Sequence, residues 1–523
     1  MKIRKCGILA VLSISFFLML GWVQVVAAED SKDDHIVQLQ ILTINDFHGA
    51  LTESGKNPGA AKLVTFLKEL KAKNPEGTLL LSAGDMFQGT VDSNLLHGKT
   101  VVAVMNDASF DAMTLGNHEF DWGIQVLKER IAQSNFPYVC ANILERDTGK
   151  PVDFVKPYTL IKRKGVKVAI IGIATPETAY KANPNIVGRY LFEDPPKVIN
   201  KLVPVLKKQN VDVIVVLSHL ASWMNEDGQL SGDAVDAAFA THGIDAVVSG
   251  HSHQTVYGKV NGIPVVQADY NGRAVGVISL AFNKDNHTVT SSAASIAVPY
   301  PELPADAGVK LLLDQTQKEL AAVKNIAVGE TVHELSHDRY SLSQTILGEW
   351  VTDTMRQKVQ ADVAFQNSGG LRTGIAAGSI TMGKLYEVMP FDNTLFTVEL
   401  TGRQIMKVLE YGFTHGQLGM VQYSGLAVTA KVDETKQLQI VAVTMADGTP
   451  LQPEKIYKVV TNDFMAAGGD GFTMFKEGTR LYDTNIPVRD VLADTLRKMK
   501  VIDFSGDTRL NIISFRERRI DAA

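Results

Sequence analysis

Cysteine is nearly missing from this chain: two of its 523 residues, Cys6 and Cys140. Cys6 falls in an apolar N-terminal segment, so a chain processed there keeps Cys140 alone and forms no intramolecular disulfide, although export would permit one. Structural zinc sites built on thiolates are excluded with it. Cys140 lies in the apolar run FPYVCANI and reads as a packed core thiol, not as a nucleophile. A surplus of either charge is missing too. The 52 Lys and Arg against 57 Asp and Glu leave a net charge of -5, which gives no basic field for a nucleic-acid polymer or an anionic membrane surface. The chain has no internal repeat, no low-complexity tract and only one long hydrophobic run, which excludes solenoids and polytopic membrane proteins.

That one run is N-terminal. MKIRKC is followed by GILAVLSISFFLMLGWVQVVAA and then by the charged segment EDSKDD. Lys2, Arg4 and Lys5 form a basic start, and Val26 and Ala28 are small residues before a cut, so residues 1–28 are expected to be a signal peptide. The expected location is periplasmic or extracellular, with no stable membrane insertion after cleavage. The run is also just long enough to span a bilayer, so an uncleaved tether is the alternative.

At 523 residues, 45% of them hydrophobic, the chain exceeds one compact core and predicts at least two domains. From about residue 36 to 300, short β-branched runs alternate with amphipathic stretches such as AAKLVTFLKELKAK and DPPKVINKLVPVLKKQN, the pattern of stacked α/β units. The Pro-rich break VPYPELPAD precedes a helix-patterned stretch, and residues 301–325 are read as a linker helix. A second mixed α/β part, 326–516, opens with SQTILGEWVTDTMRQKV, whose Ile346, Leu347, Trp350, Val351 and Met355 share a helical face.

Five apolar runs in the first part stop on Asp, Asn or His: IVQLQILTIND-F-H, TLLLSAGD, AMTLGNHEFD, VDVIVVLSH and IDAVVSGHSH. Loops beyond the carboxyl ends of strands line the ligand crevice of an open α/β sheet, so these residues are expected to converge. They supply Asp46, His48, Asp85, Asn117, His219, His251 and His253. Oxygen and imidazole donors suit borderline or hard divalent ions such as zinc, manganese or iron. The two-residue spacing of Asp46 and His48, and of His251 and His253, predicts side chains on one side of an extended segment. A carboxylate can bridge two cations, and phosphatases place two cations roughly 3.5 to 4 Å apart. We therefore expect one ion held by Asp46, His48, Asp85 and His253, and a second by Asp85, Asn117, His219 and His251.

The set D-x-H, G-D, G-N-H-E-F-D, S-H and G-H-S-H resembles the calcineurin-like metallophosphoesterases, and specifically the secreted 5'-nucleotidase family. The second part carries that family's N-S-G-G-L-R, P-F-D-N and N-D-F-M-A-A-G-G-D-G-F segments as well, so the likeness covers nearly the whole chain after the leader. It implies a four-layer α/β/β/α metallophosphoesterase sandwich, joined by a linker helix to a mixed α/β substrate-binding domain. It further implies that His118 serves the transferring phosphoryl group or the leaving oxygen, with Asp121 holding its imidazole, and that the substrate is a small nucleotide.

In the second part, Arg372 follows two glycines that let the backbone come close, and a planar guanidinium can grip phosphate with two hydrogen bonds. Asn367 is placed to touch phosphate or sugar from the same turn. By resemblance, Phe391 and Phe464 sandwich the nucleobase and Asp470 binds ribose hydroxyls. The family's second phosphate-binding Arg is replaced by Ser341, with Arg339 and His337 nearby, and its Asn two before the Gly of N-L-G is replaced by Ile346. The leading expectation is hydrolysis of nucleoside 5'-monophosphates, extending to 2',3'-cyclic nucleotides or nucleotide sugars. The departure at Ser341 keeps a different phosphate or sulfur-linked ester open. A non-catalytic surface binding protein is the third alternative, opposed by the complete ligand set.

Overall fold

The computed structural model describes residues 35–414, 418–432 and 438–513. The expected signal peptide at 1–28, with Cys6, and the last expected residues of the second part, 514–516, lie outside the described residues. Among the described residues no helix is long and apolar enough to cross a membrane.

The first part is built on two six-stranded sheets. In one, Ile36–Ile44, Thr78–Ser82, Ala112–Thr114 and Tyr138–Val139 run parallel, and Val275–Asn283 and Thr288–Ala297 extend it antiparallel. In the other, Val166–Ile173, Val213–Ser218, Ala246–Val248 and Ile263–Ala268 are parallel, between antiparallel edges Tyr158–Arg163 and Thr255–Val260.

Side chains alternate across each strand, and the alternation sorts them into layers. Leu39, Ile41, Leu79 and Leu81 pack against Val168, Ile170, Val213 and Val215 of the second sheet. Their neighbours Leu42, Ile44 and Leu80 face Leu63, Leu67, Val101 and Met105 on the helices Gly59–Ala72 and Lys99–Ala108. Ala169, Ile171, Ile214 and Val216 in turn face Ile199, Leu206, Ala234 and Ala238 on Pro195–Lys208 and Asp233–Ala240. The order is α/β/β/α, as the resemblance implies. Because central strands are covered on both faces, they read as continuous apolar runs such as VIVVLS. The helix Pro195–Lys208 starts where the sequence directs it, with Pro195 at its first position and the Asp194 side chain accepting from Lys197 N at 3.1 Å.

The stretch read as a linker holds the helix Ala307–Lys324, capped by Asp306, whose carboxylate accepts from the amides of Gly308 and Val309. Beyond it a five-stranded sheet runs in the order Gln422–Ser424, Val363–Gln366, Ile456–Asn462, Thr394–Thr401, Thr479–Pro487. The helices Ile346–Val359 and Val488–Met499 cover one face through Leu347, Trp350, Val351, Met355 and Leu492. Gly402–Thr414 covers the other through Ile405, Val408 and Leu409.

Candidate metal centre

The five strands that precede the candidate ligands all end on one rim of the two-sheet sandwich, and the loops beyond them meet. The expectation of extended, same-side pairs is not met. The strands stop at Ile44, Ser82, Thr114, Ser218 and Val248, before the candidate ligands. Asp46, His48, Asp85, His251 and His253 all have positive φ, between 49° and 73°. Non-glycine residues seldom occupy the left-handed region, although Asp, Asn and His do so more readily than others, and strain of this kind concentrates at functional sites. The turns aim the side chains inward over the strand ends. Close approach is permitted by glycine: a Cβ on Gly116 would lie 2.1 Å from Asp85 Oδ1.

Two groups of three can each hold an ion: Asp46, His48 and His253, and Asp85, His219 and His251. His48 Nε2 is 3.0 Å from His253 Nε2, and His253 Nε2 is 3.4 Å from Asp46 Oδ1. His219 Nε2 is 3.0 Å from Asp85 Oδ2, yet without hydrogen-bond geometry. Asp46 Oδ1 lies 4.0 Å from Nε2 of both His48 and His219, so Asp46 reaches toward both groups. Asp85, to which the sharing was assigned from sequence, also accepts on Oδ1 from the His118 amide at 2.8 Å.

The donor atoms fit cations. His48 Nδ1 donates to Gln88 O at 2.8 Å and His219 Nδ1 to Ala83 O at 2.7 Å, so in each ring Nε2 is the nitrogen left to ligate, on His219 once its proton is lost. Asp46 Oδ1, Asn117 Oδ1 and His219 Nε2 are buried with no hydrogen-bond partner among the described residues. Buried polar atoms are normally satisfied, so three such atoms among the candidate ligands are what cation binding at this centre would account for. In the metal-free chain burial opposes charge on His219, but Asp85 and Asp46 outweigh it and raise its pKa to about 10. Burial and the neighbouring His253 instead push His48 down to about 3.

His118 stands beside this centre. Its Nδ1 donates to Asp121 Oδ2 at 2.7 Å, and its ring stacks on Phe391 with centroids 6.0 Å apart. Burial works against the imidazolium, yet Asp121 and Asp85 outweigh it and raise the His118 pKa. Sequence reasoning overlooked Glu119, one residue on within the same GNHEFD motif. Its buried carboxylate accepts from the amides of Asp85, Met86 and Gly116 at 2.7 to 2.8 Å, clasping two candidate ligand loops together. Burial, then Asp85, raise its pKa to about 7.

A cleft of about 1190 Å³ opens above the centre and is walled by both parts of the chain. Asp85, Asn117, His118, Asp121, His251 and His253 line one side, and Asn367, Arg372, Phe391, Phe464 and Asp470 the other. All fourteen sequence-predicted residues thus come together, with Asp46, His48 and His219 buried beneath. Asn367 and Asp470 act as a unit, since Asn367 Nδ2 donates to Asp470 Oδ2 at 2.8 Å. The amide oxygen of Asn367 accepts from Asn462 at 3.0 Å, so this residue is held within the protein more than the expectation of substrate contact allowed. Phe391 sits beside His118, its ring 5.8 Å from Arg372 Cζ, whereas Phe464 packs on Gly469.

Of the two groups near Ser341, Arg339 takes the cleft. It lines the wall with Arg372 and stands close enough that a Cβ on Gly369 would lie 3.2 Å from its Nη2. Burial and Arg339 lower the Arg372 pKa to about 10, the mark of two guanidinium groups crowded together. His337 is occupied elsewhere, with Nδ1 3.0 Å from Thr345 Oγ1. Ser341 pairs with Ser343 at 2.9 Å.

Comparison with known proteins agrees with this geometry. A sequence model described as calcineurin-like phosphoesterase matches residues 39–255, and one described as 5'-nucleotidase, C-terminal domain, matches 322–477. A solved structure of a 5'-nucleotidase precursor from Thermus thermophilus is 30% identical, with a TM-score of 0.77, covering 91% of this chain and 99% of its own. A 5'-nucleotidase of Vibrio cholerae is 28% identical over 540 residues, covering 94% of this chain and 96% of that protein. An endonuclease of Bacillus subtilis is 32% identical over 457 residues, 82% of this chain. The chain spans 37% of the length of that endonuclease and 34% of a second Bacillus subtilis relative.

Proposed function

Because the chain belongs to the 5'-nucleotidase family, we propose that it is an exported phosphoesterase that removes the 5'-phosphate from nucleoside monophosphates with the help of two divalent cations. The observation that carries this reading is the single cleft in which two candidate metal groups, the His118–Asp121 pair and the Arg339–Arg372 pair face one another. The domain limits 36–300, 301–325 and 326–516, and the roles of the fourteen residues, belong to the same proposal.

Zinc, manganese or iron, when bound, supply charge neutralisation and a water activated at neutral pH. Asp46, His48, Asp85 and His253 would hold one ion, and Asp85, Asn117, His219 and His251 the other, with Asp46 Oδ1 also lying 4.0 Å from Nε2 of His219. The protein's own share of phosphoryl transfer is position and charge. Arg339 and Arg372 grip the phosphate oxygens, and His118, oriented by Asp121, gives its proton to the leaving 5' oxygen. Asp470, held by Asn367, takes the ribose hydroxyls, and Phe464 offers a stacking face to the base.

Purified full-length chain with manganese and AMP is expected to release inorganic phosphate. No release from AMP, GMP, CMP or UMP overturns the reading. Phe464→Ala removes a stacking face worth about 1 to 3 kcal/mol and raises the KM for AMP about 5- to 150-fold, while turnover of a small aryl phosphate is unchanged. Equal losses on both substrates refute the base assignment. Arg339→Ala, which removes charge-assisted hydrogen bonds of about 1.5 to 3 kcal/mol, lowers kcat/KM on both substrates about tenfold to a hundredfold. An unchanged kcat/KM would return the second phosphate grip to an unidentified group.

A further inference from the structure

One short segment touches both a candidate metal ligand and the second domain. After the strand Val166–Ile173 the chain reads ATPETAYKANPNIV, with helical turns at Thr178–Lys181 and Pro184–Val187. Near its start Glu177 Oε2 lies 2.7 Å from His251 Nε2, and Glu177 Oε1 accepts from the Tyr180 hydroxyl at 2.7 Å. A carboxylate in its ionised form only accepts, so His251 carries its proton on Nε2, and the lone pair of Nδ1 is left for the group with Asp85 and His219. Six residues on, Asn183 Nδ2 donates to Asp463 Oδ2 at 2.9 Å, across to the second domain. The other oxygen of Asp463 accepts from Thr394 N at 3.1 Å, and Asp463 precedes the cleft residue Phe464. Between these two contacts, Thr178–Lys181 packs on Gly469–Gly471, which contains Asp470.

We propose that the segment 175–187 couples docking of the second domain to the metal centre, with Glu177 as the positioning residue that fixes His251 and Asn183 as the contact that fixes the segment. The proposal rests on the metal-dependent reading above. When Asn183 engages Asp463, the segment is braced from both ends and the His251 ring is held with Nδ1 inward. Without that contact the brace is lost and the ion beside Asp85 and His219 is held less well. Coupling is reciprocal, so filling this ion's place favours the docked arrangement.

Mn²⁺ binding to the metal-free full-length chain, followed by calorimetry with no nucleotide present, tests this separately from nucleotidase activity. Glu177→Ala is expected to weaken one of two ions about 10- to 100-fold, the usual effect of losing a partner behind a ligating histidine, and to leave the other unchanged. Glu177→Gln, whose amide oxygen still accepts from Nε2, restores part of that loss. Asn183→Ala, which leaves every ligand and Glu177 in place, is expected to weaken the same ion about threefold to tenfold, at the low end of measured couplings. Thermal unfolding in chelator establishes that each variant is folded. Two ions at unchanged affinity in Glu177→Ala overturn the positioning role, and unchanged affinity in Asn183→Ala overturns the coupling. Failure to release phosphate from AMP, with these metal shifts intact, overturns the nucleotidase reading alone.

Discussion

Replacing His118 by alanine is expected to lower kcat on AMP about 10²- to 10⁴-fold while two Mn²⁺ ions stay bound, the usual share of a well-placed proton donor. The expectation follows from which atoms are already committed. His118 Nδ1 donates to Asp121 Oδ2, so only Nε2 is available to the cleft, and it belongs to neither candidate metal group. Although burial opposes the charge, Asp121 and Asp85 raise the His118 pKa. A donor whose pKa is raised is present in its protonated form at low pH and is lost as pH rises through that value, so activity should fall on the alkaline side. Asp121→Asn removes one of the two carboxylates that hold the proton and should move this alkaline limb to lower pH. The checks are metal content by atomic absorption and kcat against pH. A fall in kcat that only matches a fall in metal content would make His118 a ligand instead.

How much of this was legible in the sequence depended on the distance over which each residue finds its partner. The seven candidate ligands announced themselves because each closes an apolar run, and strand ends on one rim converge. Their local conformation did not, since an alternating spacing implies extended chain while Asp46 and His48 turn into the left-handed region at 49°. Glu119 was within reach, being inside a recognised motif, but its task is to clasp the amides of Asp85 and Met86 from another loop. Glu177 and Asn183 lie in a stretch with no motif, and their partners His251 and Asp463 are 74 and 280 residues away. Arg339 was visible only as an arginine near a displaced position, and its pairing with Arg372 is decided by how the loop before Ile346–Val359 folds against the NSGGLR turn.

The metal-free chain should be much less stable than the loaded one. Asp46 and Asp85 are almost wholly buried, and Asp46 Oδ1, Asn117 Oδ1 and His219 Nε2 have no hydrogen-bond partner among the described residues. An ion that binds only the folded chain, at a free concentration 100 times its Kd, contributes about 2.7 kcal/mol. For a domain of this size that raises Tm by roughly 5 to 11 °C for each ion. Asp46→Ala should abolish most of the rise for both ions, because Asp46 Oδ1 lies equally near His48 and His219, whereas His253→Ala should abolish the share of one. Protons must move as well. The His219 pKa of about 10 means that the metal-free chain carries this proton at neutral pH. Since that folded value exceeds the unfolded one of about 6.5, its contribution to metal-free stability is complete below about 6.5 and disappears as pH rises through about 10. Nε2 can accept an ion only after losing the proton, so Mn²⁺ uptake at pH 7 should release about one proton from this site, and affinity should rise with pH. Calorimetric titration in buffers of different ionisation enthalpy counts that proton. A Tm that chelation leaves unchanged in the wild-type chain would remove the metal centre, and with it the phosphoryl-transfer chemistry proposed for the cleft.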